Sequence, residues 1–191
     1  MTAAKGPERA RPKRADAERN LSALLESAKA VFASSGVDAP AKQITDAAGL
    51  GVGTLYRHFP RRADLIVAVL HHEVDACAQA AAELRDPAAP HAALRRWVSG
   101  YVDLVATKRG LAEALQSGED TFAGLQEYVA ERIEPPVADL LADARVQQLD
   151  ARELLYAVAL LCHAVPAAGF DLDYNRRMAM VFIDGLRQAP G

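Results

Sequence analysis

Residues 47–62 read Ala47-Ala48-Gly49-Leu50-Gly51-Val52-Gly53-Thr54-Leu55-Tyr56-Arg57-His58-Phe59-Pro60-Arg61-Arg62, and their reading decides the fold of the N-terminal third. The pattern is a helix ending at Ala48, a tight turn at Gly49, and a short helix over Val52 to His58. Glycine suits that turn because a residue without Cβ enters the left-handed region at little steric cost. The short helix carries Thr54, Tyr56, Arg57 and His58, and Arg61 and Arg62 follow it. It is too polar to be core and too short to stand alone. Hydroxyls, a guanidinium and an imidazole on one surface suit phosphates and base edges, so the stretch reads as a helix-turn-helix facing DNA.

Charge is distributed accordingly. Residues 1–62 hold eleven Lys and Arg against six Asp and Glu, a net of +5, while residues 63–191 hold eleven against nineteen, a net of −8. Only one end of the chain is suited to approach a polyanion. With 191 residues, 51% of them hydrophobic, there is ample material for a core. No apolar run reaches the roughly 20 residues of a membrane span. The nearest, Leu154 to Phe170, is interrupted by His163, Pro166 and Gly169. The basic N-terminus does not resemble a secretory signal, and Cys77 and Cys162 each fall on an apolar helical face. Buried reduced thiols in a cytoplasmic protein without a membrane segment are expected.

Alanine-rich composition and apolar spacing predict helices throughout. The first runs from about Asp16 to Ser35, with Leu21, Leu24, Leu25, Ala28, Val31 and Phe32 as one stripe, a left-handed cap at Gly36, and Val37 folding back. The second runs from Pro40 or Ala41 to Ala48, and the third from Val52 to His58. Ile44, Leu50 and Leu55 point inward between them. A long helix from Arg61 to Arg85 would reach about 36 Å. Asp86 to Pro90 breaks the pattern, and a clean amphipathic helix with Leu94, Trp97, Val98, Tyr101, Leu104 and Val105 closes at Lys108 to Gly110. A short helix follows from Leu111 to Gln116. Glu119 to Gln147 is helical, but Pro135-Pro136 remove two amide donors and either kink or break it. Asp150 with Glu153 is a capping-box start for a helix to Val165, and a last helix spans Asp173 to Arg187. The fold class is all-α, with about nine helices.

These residues resemble the tetracycline-repressor (TetR) family of bacterial transcription regulators. The likeness covers Asp16 to Val69 and centres on Ile44, Ala48-Gly49, Gly53-Thr54-Leu55-Tyr56-Arg57-His58-Phe59, Arg62 and Leu65. It implies an N-terminal three-helix head joined to a C-terminal helical bundle. The division is then a disordered basic arm at 1–15, a helix-turn-helix domain at 16–62, and a ligand-binding and dimerisation domain at 63–191. The resemblance also implies a homodimer through the last two helices, heads in successive major grooves of a palindromic double-stranded operator, and release by a small-molecule effector. By position, Thr54, Tyr56, His58 and Arg62 are implied phosphate contacts. Gly51, Val52, Gly53 and Arg57 are implied to face the groove, with Lys42 reaching phosphate or base. Three positions depart from the family pattern: Gly51 where a capping hydroxyl is common, Thr45 where a small alanine is usual, and Ala39-Pro40-Ala41 without the expected threonine.

In the bundle, Trp97, Tyr101, Phe122, Tyr156 and His163 are candidates to line a largely apolar ligand cavity, although Trp97 and Tyr101 equally suit a plain core. The final helix is apolar around more of its circumference than one packing face requires, which favours a partner. His71 with Asp75 has a spacing a metal could use, but a solvated helix face is the default reading. No metal quartet, phosphate loop or nucleophile–base spacing appears, so no catalytic residue, metal or cofactor is expected. Two alternatives stay open: a DNA-binding regulator without an effector, and a helical-bundle binding protein or enzyme.

Overall fold

The computed structural model describes residues 11–111, 124–162 and 171–186, and every regular element among them is an α-helix. In chain order these are α1 (Arg11–Ser35), α2 (Ala41–Ala48), α3 (Val52–His58), α4 (Arg62–Glu83), α5 (Pro90–Gly110), α6 (Leu125–Asp143), α7 (Ala151–Leu161) and α8 (Leu172–Gly185). The expected all-α class is observed. The short helix expected after Leu111 falls on residues outside those described. The chain divides into two compact units, Met1–Val69 and Leu70–Gly191, and the boundary lies within α4. No helix among the described residues is long and apolar enough to cross a membrane.

In the N-terminal unit, α1 begins at Arg11 rather than Asp16, so the last part of the expected disordered arm is helical. Pro12 occupies the first turn, where its missing amide has no intrahelical role. Leu24, Leu25, Ala28, Val31 and Phe32 form the buried stripe. The Gly36 amide closes the helix on the Phe32 carbonyl at 3.0 Å, with φ at +80°. Ala39, 3% exposed, is the residue that returns to the core, whereas Val37 stays half-buried. Ile44 and Leu55 are buried as expected, but Leu50 is only half-buried.

In the C-terminal unit, α5 packs chiefly on α8 and also on α6 and α7. Of the expected stripe, Leu94, Trp97, Val98, Tyr101 and Leu104 are buried with Ile133, Val137 and Leu140 of α6 and Leu154 and Val158 of α7, and Val105 is half-buried against them. Pro135 and Pro136 do not break α6, which continues through them to Asp143. The carbonyls that lose their partners are those of Glu131 and Arg132, four residues back and both exposed, so water can satisfy them. Ile133 and Val137 are fully buried on the other side. Arginine forks tie the helices at the surface: Arg85 to Asp143 (2.6 Å) and Asp139 (2.9 Å), Arg152 to Glu134 (2.8 Å), Arg176 to Asp103 (2.6 Å), and Arg95 to Asp184. Pairs this exposed contribute little each and mainly set register.

Candidate nucleic-acid interface

The turn between α2 and α3 is built by Gly49. At φ +65° its amide bonds the Asp46 carbonyl at 3.2 Å, and the next amide, Leu50, bonds the Thr45 carbonyl at 2.9 Å. This pair of bonds ends α2 and turns the chain sharply. Gly51 then caps α3 with extended backbone at φ −82° and no side-chain bond. The Thr54 amide reaches the Gly51 carbonyl at 2.8 Å, and the Phe59 amide reaches the Leu55 carbonyl at 2.8 Å.

At about 100° per residue, the buried Leu55 fixes where every other side chain of α3 lies. Gly53 and Arg57 fall within about 20° of the direction opposite Leu55. Val52 and Tyr56 occupy one flank; Thr54 and His58 occupy the other. Tyr56 is 54% exposed and Val52 36% exposed, and Arg57 and His58 are also exposed. One glycine-and-arginine ridge therefore stands between two hydroxyl- or imidazole-bearing flanks. A helix inserted in a groove meets bases at its ridge and a phosphate strand on each side, which is the chemistry these residue types supply. A Cβ built at Gly51 or Gly53 would meet nothing within 4 Å, so neither glycine is demanded by packing.

The supporting side chains are engaged. Thr45 is fully buried, and its hydroxyl donates to the Lys42 carbonyl at 3.1 Å, so the hydroxyl is accommodated without an unpaired donor. Lys42 lies on the exposed face of α2 and pairs with Asp46 at 2.6 Å. Arg61 wraps Asp64, donating from its amide (3.1 Å) and guanidinium (2.6 Å); that side-chain bond holds the Asp64 carboxyl below the usual carboxylate range. Arg62 is half-buried: it donates to the Ala39 carbonyl and sits 5.4 Å over the Phe32 ring. The structure thus exposes Gly51, Val52, Gly53, Tyr56, Arg57 and His58, keeps Thr54 half-buried beside them over the buried Leu55, and turns the Arg62 guanidinium inward.

Of the expected ligand residues, three are described, and the structure brings Trp97 and Tyr101 together while Tyr156 stands on the surface. Trp97 is 1% exposed; its indole donates to the Cys77 carbonyl at 2.9 Å and stacks on Tyr101 with ring centroids 5.3 Å apart. The Tyr101 hydroxyl points at the Leu155 carbonyl at 3.5 Å, and burial pushes its pKa up. Tyr156 is 66% exposed on α7, because at about 100° per residue it falls on the side away from the buried Ala151, Leu154, Leu155 and Val158. Phe122 and His163 lie outside the described residues. His71 stacks on Tyr128 at 3.9 Å, and Asp75 accepts from Tyr128 (2.8 Å) and Arg132 (2.7 Å), which accounts for both without a metal. Among the described residues no group of three or more His, Cys, Asp or Glu could hold an ion.

Three contacts were missed in the sequence. Asp171 caps α8 through the Asp173 and Tyr174 amides, a role that Asp before an apolar-periodic segment does signal. Asn175 is buried and donates to the Cys162 carbonyl at 3.3 Å, and Arg62 rests on Phe32, 30 positions earlier. Neither of the last two has a local sequence signal, because the partners meet only in the folded chain.

Comparison with known proteins points one way. Residues 24–69 match the family described as bacterial regulatory proteins, tetR family, and residues 89–188 match the transcriptional regulator SbtR-like C-terminal domain. A TetR transcription regulatory protein from Mycobacterium vanbaalenii is 31% identical, with a TM-score of 0.69 over 93% of this chain and 100% of that one. A TetR transcriptional regulator from Streptomyces coelicolor is 29% identical, with a TM-score of 0.69 over 89% and 99%. The HTH-type transcriptional repressor LfrR of Mycolicibacterium smegmatis is 39% identical over 92 residues, 46% of each chain, so the aligned stretch spans less than half of that relative. A structure of the TetR-like regulator LfrR from Mycobacterium smegmatis in complex with proflavine superposes with a TM-score of 0.60 at 23% identity, over 91% of this chain and 98% of that one.

Proposed function

The chain belongs to the TetR family of bacterial transcriptional regulators, and from that premise we propose that it is a homodimeric repressor that releases a palindromic operator when a small, largely apolar ligand enters its helical body. The observation that carries the DNA-binding part is the solvent face of α3, where Gly53 and Arg57 stand opposite the buried Leu55 between Val52–Tyr56 and Thr54–His58. Tyr56, Thr54 and His58 hold phosphates on either side; Arg57 and Val52 read bases. Lys42 joins them by exchanging Asp46 for a phosphate. On this reading the division at about residue 62 separates a DNA-binding head from a ligand-binding and dimerisation body.

Dimerisation through α7 and α8 is supported by Tyr156 and Leu160, 66% and 69% exposed and one turn apart on α7, and by Val181, 66% exposed on α8. Apolar side chains of this size left in water on two adjacent helices suit a second copy of the chain. The proflavine complex of LfrR supports a ligand-responsive body, and Tyr101 is the polar group we place toward the ligand, since its bond to Leu155 is at the limit of a hydrogen bond.

Selection of duplexes from a random-sequence pool tests the proposal. A palindrome is expected, bound in a salt-sensitive way, with Tyr56→Phe weakening all sequences alike and Arg57→Ala changing the preferred bases. Recovery of no preferred duplex would refute it.

A further inference from the structure

Arg62 opens α4 with only three residues between it and the end of α3, and the family resemblance gives it a phosphate to hold. Its guanidinium is committed elsewhere. One nitrogen donates to the Ala39 carbonyl, in the turn before α2, and the group lies 5.4 Å over the centroid of Phe32 on α1. Both neighbours belong to the core: Phe32 is 4% and Ala39 3% exposed. The Ala39 amide already bonds the Gly36 carbonyl at 3.2 Å, so Arg62 serves the other polar group of a buried residue.

We propose that Arg62 is a positioning residue for DNA recognition: it locks the start of α4 onto α1 and the turn before α2, and so fixes the trailing end of α3, rather than gripping a phosphate. This rests on the reading of α3 as the DNA-facing helix. α3 has seven residues and buries only Leu55, far too little to hold itself in one orientation. Its leading end is fixed by the Gly49 and Leu50 amides on the Asp46 and Thr45 carbonyls. Arg62 is the matching restraint at the other end. The geometry needs arginine, because a planar guanidinium donates in its plane while its face rests on a ring; a lysine keeps the charge and loses the stacked plane.

The test uses a duplex recovered by selection, titrated by fluorescence anisotropy over a range of KCl at low temperature, with circular dichroism showing that each variant is folded. Arg62→Lys and Arg62→Met should both weaken binding about tenfold without changing the slope of log Kd against log salt, and Phe32→Leu should reproduce part of the loss. A phosphate contact gives the reverse: lysine restores affinity and methionine flattens the slope by about 0.9. Either of those results overturns the proposal. A second readout needs no DNA. The Phe59 amide, bonded to Leu55 at the end of α3, should lose about fivefold or more of its hydrogen-exchange protection in Arg62→Lys and Arg62→Met. Unchanged protection overturns the lock even if no duplex is ever selected. Lost protection with no selected duplex supports the lock and counts against the DNA-binding reading instead.

Discussion

The indole N–H of Trp97 on α5 donates to the backbone carbonyl of Cys77 on α4 at 2.9 Å. That bond satisfies the donor of a side chain that is 1% exposed and ties two helices of the C-terminal unit at one point. Because Trp97 is the sole tryptophan, its fluorescence reports on this joint alone. Trp97→Phe should cost about 2 kcal/mol, from lost packing plus the lost bond to a carbonyl that keeps only its intrahelical amide, as read by urea unfolding followed by circular dichroism. A loss under about 0.5 kcal/mol would show that the bond and the packing around it matter little.

Alkaline pH should weaken the C-terminal unit. Burial, reinforced by the nearby Glu73 carboxylate, pushes the Cys77 thiol from 9.0 up to about 12. Burial also raises Tyr101 and Cys162 above their ordinary values. The unfolded chain therefore gives up these protons before the folded one does. The stability they confer is complete below the ordinary thiol value of 9.0 and is lost as pH rises toward about 12. The melting temperature should be flat near neutrality and fall above pH 9. Rapid alkylation of Cys77 in the native protein at neutral pH would contradict this picture.

Two glycines near the DNA-facing surface should respond in opposite ways. Gly49 needs its positive φ, so Gly49→Ala should destabilise the head by about 1–2 kcal/mol. Gly53 lies in α3 with open space where a Cβ would go, so Gly53→Ala should raise stability by up to about 1 kcal/mol. It should nevertheless weaken operator binding, because the ridge beside Arg57 must come close to the bases. A stabilised Gly53→Ala variant with unaltered affinity would mean that the ridge does not approach the groove.

Charge placed on the exposed apolar face should separate the copies. Leu160→Glu on α7 and Val181→Glu on α8 alter side chains that are 69% and 66% exposed in the single chain. Each should change the stability of one chain by no more than about 0.5 kcal/mol. Light scattering should show the doubled mass of the wild type falling to that of one chain. If the variants keep the wild-type mass, the interface lies elsewhere.

Local signals were the legible ones. Gly49, the Asp150–Glu153 capping box and the buried stripe of α5 each act through neighbours within a few residues, and the structure has all three where spacing places them. Signals that depend on the rest of the chain left alternatives open. Pro135-Pro136 left a kink and a break equally open, and the helix runs through them because the freed carbonyls face solvent while Ile133 and Val137 stay buried. Tyr156 offers a hydroxyl that suits a ligand cavity, and its helical phase turns it outward in the single chain.

The sequence by itself determined that the chain is helical, that its N-terminal third carries a basic helix-turn-helix, and which residues of α3 are polar, since periodicity, capping and charge are properties of nearby residues. Tertiary structure alone decided that Arg62 rests on Phe32 and Ala39, that Trp97 answers the Cys77 carbonyl, and that Tyr156 faces water. Those outcomes depend on which helices meet and in what rotation. A guanidinium near a DNA-facing surface carries the same charge in the sequence whether it turns toward a phosphate or toward the core, and only the packing of α1 and the turn before α2 against the start of α4 gives it a ring and a carbonyl to choose.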